Sequence, residues 1–416
     1  MNLRHSQGLR ALVIAGTHSG VGKTSVTLGL IRALGRRGMI VQPFKVGPDF
    51  IDPGHHTLLA GRVSRNLDGW MLSREGNVEI FHRHAKEADI SIIEGVMGLY
   101  DGFDGSTDTG STAQMAKWLG VPVVLVLDAR SMARSAAALV LGFSTFDREV
   151  SFAGVLFNRI GSETHLHYLK QAMAQVEGMG CVGGIPRDEA ISMPERHLGL
   201  VTGEESPLSG TQIERLADLI ERNVDLTALM DKATSAVPKI PAARCLSLRD
   251  AQTDFLPWQR SGDAETRGSG KRGGSVAARI GVARDEAFCF YYQDNLDWLA
   301  HFGAEIVSFS PLRDPQLPER LDGVYLGGGY PELFAERLAE NVHMRRSLLN
   351  LAKLDIPIYA ECGGLMYLSR KIEDMAGRIY PMVGALPLQV RMGARLRSLG
   401  YREITFKTDT ILGPTG

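Results

Sequence analysis

Residues 12–34 read LVIAGTHSGVGKTSVTLGLIRAL. An apolar run leads into a glycine-rich loop, and a segment with helical spacing follows. A loop in that position aims backbone N–H groups at phosphate oxygens, and the helix N-terminus adds partial positive charge. Lys23 can reach the outer phosphates, and the Thr24 hydroxyl can ligate Mg²⁺. The strict G-x-x-x-x-G-K-[ST] pattern requires glycine at position 17. Thr17 stands there, with Gly16 one residue earlier, so the loop is a variant. A glycine turn that merely opens a helix would share some of these residues. The flanking strand and helix, together with GKT, favour a nucleotide site over that turn.

Outward from this loop the chain alternates short apolar runs with helical stretches. The runs are LRALVIAG, IVQPFKVG, DISIIEG, PVVLVLDA and FAGVLFN. Unbroken Val/Ile/Leu segments are how a parallel strand covered on both faces reads. Intervening segments such as SVTLGLIRALGRRG and TAQMAKWLG end at glycine, a helix stop. Residues 9–201 are therefore expected to form a doubly wound α/β domain with ligands at the carboxyl ends of its strands. Residues 202–278 begin with a helix-like piece, TQIERLADLIERNVDLTALM. They end in SGDAETRGSGKRGGSVAAR, whose composition is that of a flexible linker. From residue 279 the alternation resumes with RIGVARD, AEIVSFSP, GVYLGGG and PIYAEC, a second α/β domain over 279–416.

Composition narrows the function classes. The 416 residues are 44% hydrophobic and 22% charged, ordinary for a protein with real cores. Lys+Arg number 46 against 47 Asp+Glu, which gives no basic surplus for nucleic acid or an anionic membrane. No apolar run is long enough to span a bilayer, and MNLRHSQGLR lacks the core of a secretory signal. Cys181, Cys245, Cys289 and Cys362 are scattered without a CxxC pair, so neither a disulfide framework nor a zinc site is expected. A reducing cytoplasm fits best. The assembly is left open, a homodimer included.

Two further segments carry acids at strand ends. VQPFKVGPDFIDPGHH holds Asp49 and Asp52, and SIIEGVMGLYDGFDG holds Glu94 just past its apolar run. Carboxylates there suit Mg²⁺ and the charge of a moving phosphoryl group. Each acid alone is as readily a cap or turn residue; three beside one phosphate loop point to metal or substrate. His55 and His56 follow that loop, and either substrate docking or a turn would explain them. His82/His84 and His165/His167 are spaced i,i+2, which does not share a helix face, so no transition-metal site is expected from them.

A second constellation lies at PIYAECGGLMYL. Cys362 follows an apolar strand and precedes Gly363, Gly364 and a helix-like run. That is the elbow which lifts a nucleophile into a pocket and aims N–H groups at a developing oxyanion. The glycines of DGVYLGGGYPELFAERLAEN form an expected oxyanion wall. A buried cysteine in a glycine turn remains the plainer alternative for the elbow alone.

These motifs carry a resemblance over most of the chain. GTHSGVGKT resembles the loop of dethiobiotin synthetase and its relatives, and His18 stands where partitioning ATPases carry an extra lysine. KVGPDFIDPGHH and EGVMGLYDG are similar to the cobyrinic acid a,c-diamide synthase family. The Cys362 region, ARDEAFCFYYQDNL and SFSPLRD resemble its fused class I, triad-type glutamine amidotransferase domain. The resemblance implies ATP on Thr17 to Thr24, with Gly20, Gly22 and Lys23 among them, and Mg²⁺ among Thr24, Asp49 and Glu94. It implies Asp52 and Asp101 as acids handling the substrate or its activated carboxyl, and Asn158 near adenine; by itself Asn158 is equally a strand-end turn residue. It further implies that Cys362 releases ammonia from glutamine through a glutamyl thioester.

The implied function is ATP- and Mg²⁺-dependent amidation of the a and c acetates of cobyrinic acid, or hydrogenobyrinic acid, through a phosphorylated carboxylate. Nickel-sirohydrochlorin is an alternative substrate. Cobyric acid synthase shares the two-domain plan but not KVGPDFIDPGHH. A nucleotide-switch ATPase is the rival of another class, and Cys362 counts against it. One departure stands out. The family places a histidine base after the cysteine, and no histidine follows His343 here. A C-terminally incomplete amidotransferase domain is the favoured expectation over a natural ammonia-only form. These 416 residues are accordingly expected to make amide with ammonium salts and little or none with glutamine. Product assays with each nitrogen source check this, and robust glutaminase turnover by the same residues would contradict it.

Overall fold

The computed structural model describes residues 8–188, 209–235, 278–393, 400–410 and 415. The flexible-linker reading of the stretch before residue 278 falls largely outside them. The chain divides into two compact units: Met1–Ile280 with Cys289–Val307, and Gly281–Phe288 with Ser308–Gly416.

The first unit is built on a seven-stranded sheet. Its strands are β1 (Ala11–Gly16), β2 (Val41–Val46), β3 (Arg65–Leu67), β4 (Ile90–Glu94), β5 (Val123–Asp128), β6 (Phe152–Ile160) and β7 (Cys181–Pro186). The order is β3-β2-β4-β1-β5-β6-β7, and every pairing is parallel. The strand period of two sends alternate side chains of β1 to opposite faces. Val13 and Ala15 join one core with Phe44, Phe81, Met115 and Val140. Leu12 and Ile14 join another with Leu30, Ile31, Val126 and Ile220. The first face is covered by α3 (Arg74–Ala85), α4 (Thr112–Leu119), α5 (Arg134–Phe146) and α6 (Glu163–Met173). The second is covered by α1 (Lys23–Arg36), α7 (Gly210–Asn223) and α8 (Leu226–Lys232), while α2 (Asp52–Ala60) follows β2. Ser73, Ser111, Ser162 and Ser209 cap their helices by accepting a backbone N–H.

The helix expected after residue 202 is therefore α7, and it is part of the first unit. Its capping box, Ser209 with Gln212, starts the helix. Leu216, Ala217 and Ile220 are buried on one face. Arg36 of α1 pairs with Glu214, Asp218 and Glu221, but these acids are too exposed for the bridges to stabilise much. Close packing decides the contact. A Cβ on Gly29 would stand 2.6 Å from an Ile220 side-chain carbon and 3.0 Å from the Leu216 carbonyl.

Cys289–Val307 also groups with the first unit and contains α9 (Gln293–His301). Phe50, in the loop after β2, stacks on Phe290 at 5.1 Å between ring centres and packs on Tyr292 at 4.5 Å.

A four-stranded sheet has the order β11-β10-β8-β9, from β8 (Ala278–Ala283), β9 (Ala304–Phe309), β10 (Gly323–Leu326) and β11 (Ile358–Ala360); the second unit takes β10, β11 and the ends of β8 and β9. A smaller sheet has the order β13-β12-β14, from β12 (Lys371–Glu373), β13 (Ile379–Pro381) and β14 (Val390–Arg391). Its core gathers Phe288, Leu326, Leu338, Met344, Leu348 and Tyr367. Three helices, α10 (Ala335–Glu340), α11 (Val342–Lys353) and α12 (Gly363–Leu368), complete it among the described residues. The closing stretch, expected as strand and turn, forms no regular strand over 400–409.

Gly29→Ala weighs two opposing effects. Alanine favours an exposed helix by about 1 kcal/mol, and overpacking costs about 1–3 kcal/mol. We expect a net loss of stability in chemical denaturation. A stabilised variant would refute the close α1–α7 contact.

Candidate active site

The phosphate loop leaves β1 and turns into α1 at Gly22, whose φ of 100° is left-handed. Only glycine fits: a Cβ there would lie 2.2 Å from Asn158 Nδ2. Lys23 is buried and donates to the His18 carbonyl at 3.2 Å and to the Met97 carbonyl. Gly20, Gly22, Lys23, Thr24, Asp49, Asp52, Glu94 and Asn158 line one cavity of about 1050 Å³. Eight of the residues read from the sequence thus converge on one space. Thr17 and Asp101, also in the first unit, are not among its lining. Thr17 contacts the His18 ring at 3.0 Å, and Asp101 accepts the Gly98 N–H at 2.9 Å.

Beside the loop sits a buried charge cluster whose centre is Lys45, the fifth residue of β2. Its ammonium donates to Asp52 at 2.6 Å, to Glu94 at 3.1 Å and to the Gly95 carbonyl at 3.2 Å, with Asp49 at 3.7 Å. Glu94 accepts from Thr24 at 2.6 Å on one oxygen and meets His56 Nε2 at 2.6 Å on the other. Asp49 accepts the N–H groups of Ile51 and Asp52, which fixes the loop after β2. Burial opposes charge on Lys45, but Glu94, Asp52 and Asp49 outweigh it and hold its pKa above the usual lysine range. Burial and Asp52 push Glu94 upward; Lys45 and His56 overcome both and hold its carboxyl below the usual range. Burial lowers the His55 pKa.

Sequence reasoning missed Lys45 as a functional group. A lysine inside a strand buried on both faces was the available signal, because such a charge must be paired. His56, treated as a turn or docking residue, is instead a partner of Glu94. The third acid-rich feature is elsewhere. His84, Asp294 and Asp297 come together, but Arg65 reaches Asp297 at 2.6 Å and Asp294 at 3.3 Å, so a guanidinium already supplies the positive charge there.

The opposite end of the cavity differs. Asn158 donates to the Val21 carbonyl at 2.8 Å and accepts the Arg159 N–H, which braces the phosphate loop. Asp128 pairs with Arg130 at 2.8 Å and Arg159 at 2.6 Å. Ile185, Pro186, Leu216, Leu219 and Ile220 give this end an apolar wall.

In the second unit, Cys362 is exposed and sits at the N-cap of α12 with φ 48° and ψ −111°. A non-glycine residue at positive φ is strained, as a nucleophile elbow requires. The glycine wall abuts it. The Gly364 N–H donates to the Gly327 carbonyl at 2.9 Å. A Cβ on Gly364 would stand 2.2 Å from the Leu326 carbonyl, and one on Gly363 would stand 3.1 Å from the Gly329 nitrogen.

Two family models divide the chain along these lines. Residues 12–201 match the CobQ/CobB/MinD/ParA nucleotide binding domain, and residues 279–413 match the CobB/CobQ-like glutamine amidotransferase domain. A cobyrinate a,c-diamide synthase of Syntrophotalea carbinolica is 45% identical, over 97% of this chain and 83% of that protein. The chain belongs to the cobyrinate a,c-diamide synthase family. Relatives of the same name from Dehalococcoides mccartyi and Listeria innocua are each 42% identical, covering 97% and 98% of this chain and 83% and 85% of theirs. The family is that of glutamine-amidotransferase-type ligases. Among the described residues no helix is long and apolar enough to cross a membrane.

Lys45→Met leaves Asp52 and Glu94 buried without their cation. Breaking a buried pair in this way costs about 3–5 kcal/mol, readable in urea unfolding; an unchanged midpoint would contradict the cluster. The depressed Glu94 pKa also sets a sign. Its contribution is present above the unfolded glutamate value of about 4.3 and is lost as pH falls through the lower folded value. Unfolding free energy should therefore fall on acidification, with a shallower fall in Glu94→Gln.

Proposed function

We propose that this chain uses ATP to amidate the a and c acetate carboxylates of cobyrinic acid. The observation that carries this reading is the single cavity joining the phosphate loop to the Lys45–Asp52–Glu94 cluster. A carboxylate is a poor electrophile, and transfer of the γ-phosphoryl group makes a good leaving group of one of its oxygens. Ammonia then attacks the acyl carbon and expels phosphate. The relatives described above carry the cobyrinate name, and nothing in them favours nickel-sirohydrochlorin or a switch ATPase.

Each residue has a task in this scheme. Backbone N–H groups of residues 20–24 hold the phosphates. Lys23 exchanges its carbonyl partners for the outer phosphates. Thr24, Asp49 and Glu94 are hard oxygen donors, and that set fits Mg²⁺. The bound ion would neutralise charge on the β- and γ-phosphates as the phosphoryl group moves. Lys45 and Asp52 face the same space, where the cation can orient an incoming carboxylate and Asp52 can take a proton from the attacking ammonia. Asp101, through Gly98, shapes the loop that ends at the Met97 carbonyl. Cys362, in the second unit, is the nucleophile toward glutamine. Water-filled surroundings, such as a reducing cytoplasm, suit both the substrates and an exposed thiol.

Lys23→Ala is expected to abolish amidation with ammonium as with glutamine, a fall of at least about 10³-fold if the lysine stabilises the transferring phosphoryl. Coupled ADP release with and without cobyrinic acid and ammonium reads this. Activity retained with ammonium would remove the loop from the chemistry, and wild-type ADP release indifferent to both substrates would indicate a switch ATPase.

A further inference from the structure

The acid loop of the first unit is held by residues far away in sequence. That loop, residues 47–52, runs from β2 to α2 and carries Asp49 and Asp52, both of which line the cavity. Asn66 of β3 donates to the Gly47 carbonyl at 2.9 Å and to the Asp49 carbonyl at 2.7 Å. Asp49 in turn accepts the Ile51 and Asp52 N–H groups at 2.8 and 3.2 Å. Between the two acids stands Phe50. Its ring meets Phe290 nearly parallel, at 11° and 5.1 Å between ring centres, and meets Tyr292 tilted, at 4.5 Å.

Phe290 and Tyr292 precede α9, and all of Cys289–Val307 groups with the first unit. The family match over residues 279–413 assigns the same stretch to the amidotransferase domain. Two further contacts seat it on the first unit. Buried Arg65 of β3 donates to Asp297 at 2.6 Å and lies 3.3 Å from Asp294. The Arg83 guanidinium lies over the Trp298 ring, 5.5 Å from its centre. Adjacent residues of β3 thus hold two different partners: Arg65 grips α9, and Asn66 grips the acid loop. A buried guanidinium that lost its carboxylates would be strongly destabilising, so the seat of α9 is a fixed part of this edge.

We propose that Phe50, Phe290 and Tyr292 position the amidation site, so that residues 289–307, matched as amidotransferase, complete the acid loop of the synthetase. These are positioning residues: they act through Asp49 and Asp52, not on the substrate. Stacked and tilted aromatic pairs attract beyond the area they bury. Anchoring Phe50 restrains the backbone that carries both acids, one residue before it and two residues after. Small displacements of groups that orient a reaction cost large factors in rate. The proposal rests on the function given above and adds the source of the loop's rigidity. It makes amidation from ammonium, which needs no glutamine hydrolysis, depend on a residue outside the nucleotide-binding match of 12–201.

The test is Phe290→Ala in the full chain, assayed with ammonium and cobyrinic acid. At saturating substrates kcat is expected to fall about tenfold, the factor that one aromatic pair is worth. ADP affinity measured without Mg²⁺ is expected to stay within about twofold, because the stack does not touch the phosphate loop. Hydrogen exchange of the peptide spanning residues 47–56 is expected to quicken, since the Ile51 and Asp52 amides lose their fixed acceptor. Phe290→Tyr keeps a ring and is expected to restore both kcat and protection. Phe50→Ala combined with Phe290→Ala is expected to cost no more than Phe50→Ala alone, because both remove one contact. Melting temperature checks folding; if alanine fails it, Phe290→Leu is read in the same assays with the same direction expected. Unchanged kcat in a folded variant, with or without faster exchange, would overturn the proposal and leave the amidation reading intact. Fully additive losses in the double variant would overturn it as well. Wild type that makes no amide from ammonium would overturn the amidation reading and this proposal together.

Discussion

Lys45 sits within 3.7 Å of three carboxylates, and the carboxyl edge of the first unit is organised by that arrangement. Asp52 and Glu94 are almost wholly buried. Two buried acids so close together would repel one another and favour protonation. The Lys45 cation between them offsets that repulsion, holds the Glu94 carboxyl below its usual range, and ties β2, β4 and the start of α2 together. Glu94 then presents a fixed carboxylate to Thr24, which links the Lys45 cluster to the glycine loop. In the proposed amidation the charges that stabilise this edge are also the ones that would face the moving phosphoryl group.

The second unit meets a different constraint. At its strand-to-helix turn Cys362 adopts φ 48°, a backbone conformation that a cysteine does not favour. Gly364 packs against the Leu326 carbonyl and Gly363 against Gly329, so a larger side chain at either would push the elbow away from the glycine wall. Strain of this kind costs about 1–3 kcal/mol and persists where the surroundings over-determine it. Tight glycine contacts, not a large hydrophobic contribution from Cys362, hold the thiol exposed.

Much of this was legible in the sequence because it is periodic or locally patterned. The five apolar runs before residue 160 all became parallel strands, and the glycine loop and the elbow fell at strand-to-helix turns. What escaped notice has physical reasons. β3 is the three residues Arg65, Asn66 and Leu67, too short and polar to show a strand pattern. β7 carries Gly183 and Gly184 at its centre, which tertiary contact with Asn223 and Leu166 makes necessary but which reads as a turn. Lys45 looked like part of a loop motif, since its partners Asp52 and Glu94 are 7 and 49 residues away in sequence. The packing of α7 on α1 depends on Gly29 and Ile220, a pairing no local window contains.

The central claim is that a substrate carboxylate oxygen leaves as phosphate. Cobyrinic acid carrying ¹⁸O in its a and c acetates tests it directly, with the inorganic phosphate analysed by mass spectrometry after turnover with ammonium. The account predicts one ¹⁸O in phosphate for each amide formed. ADP and amide produced with no label in the phosphate would contradict it.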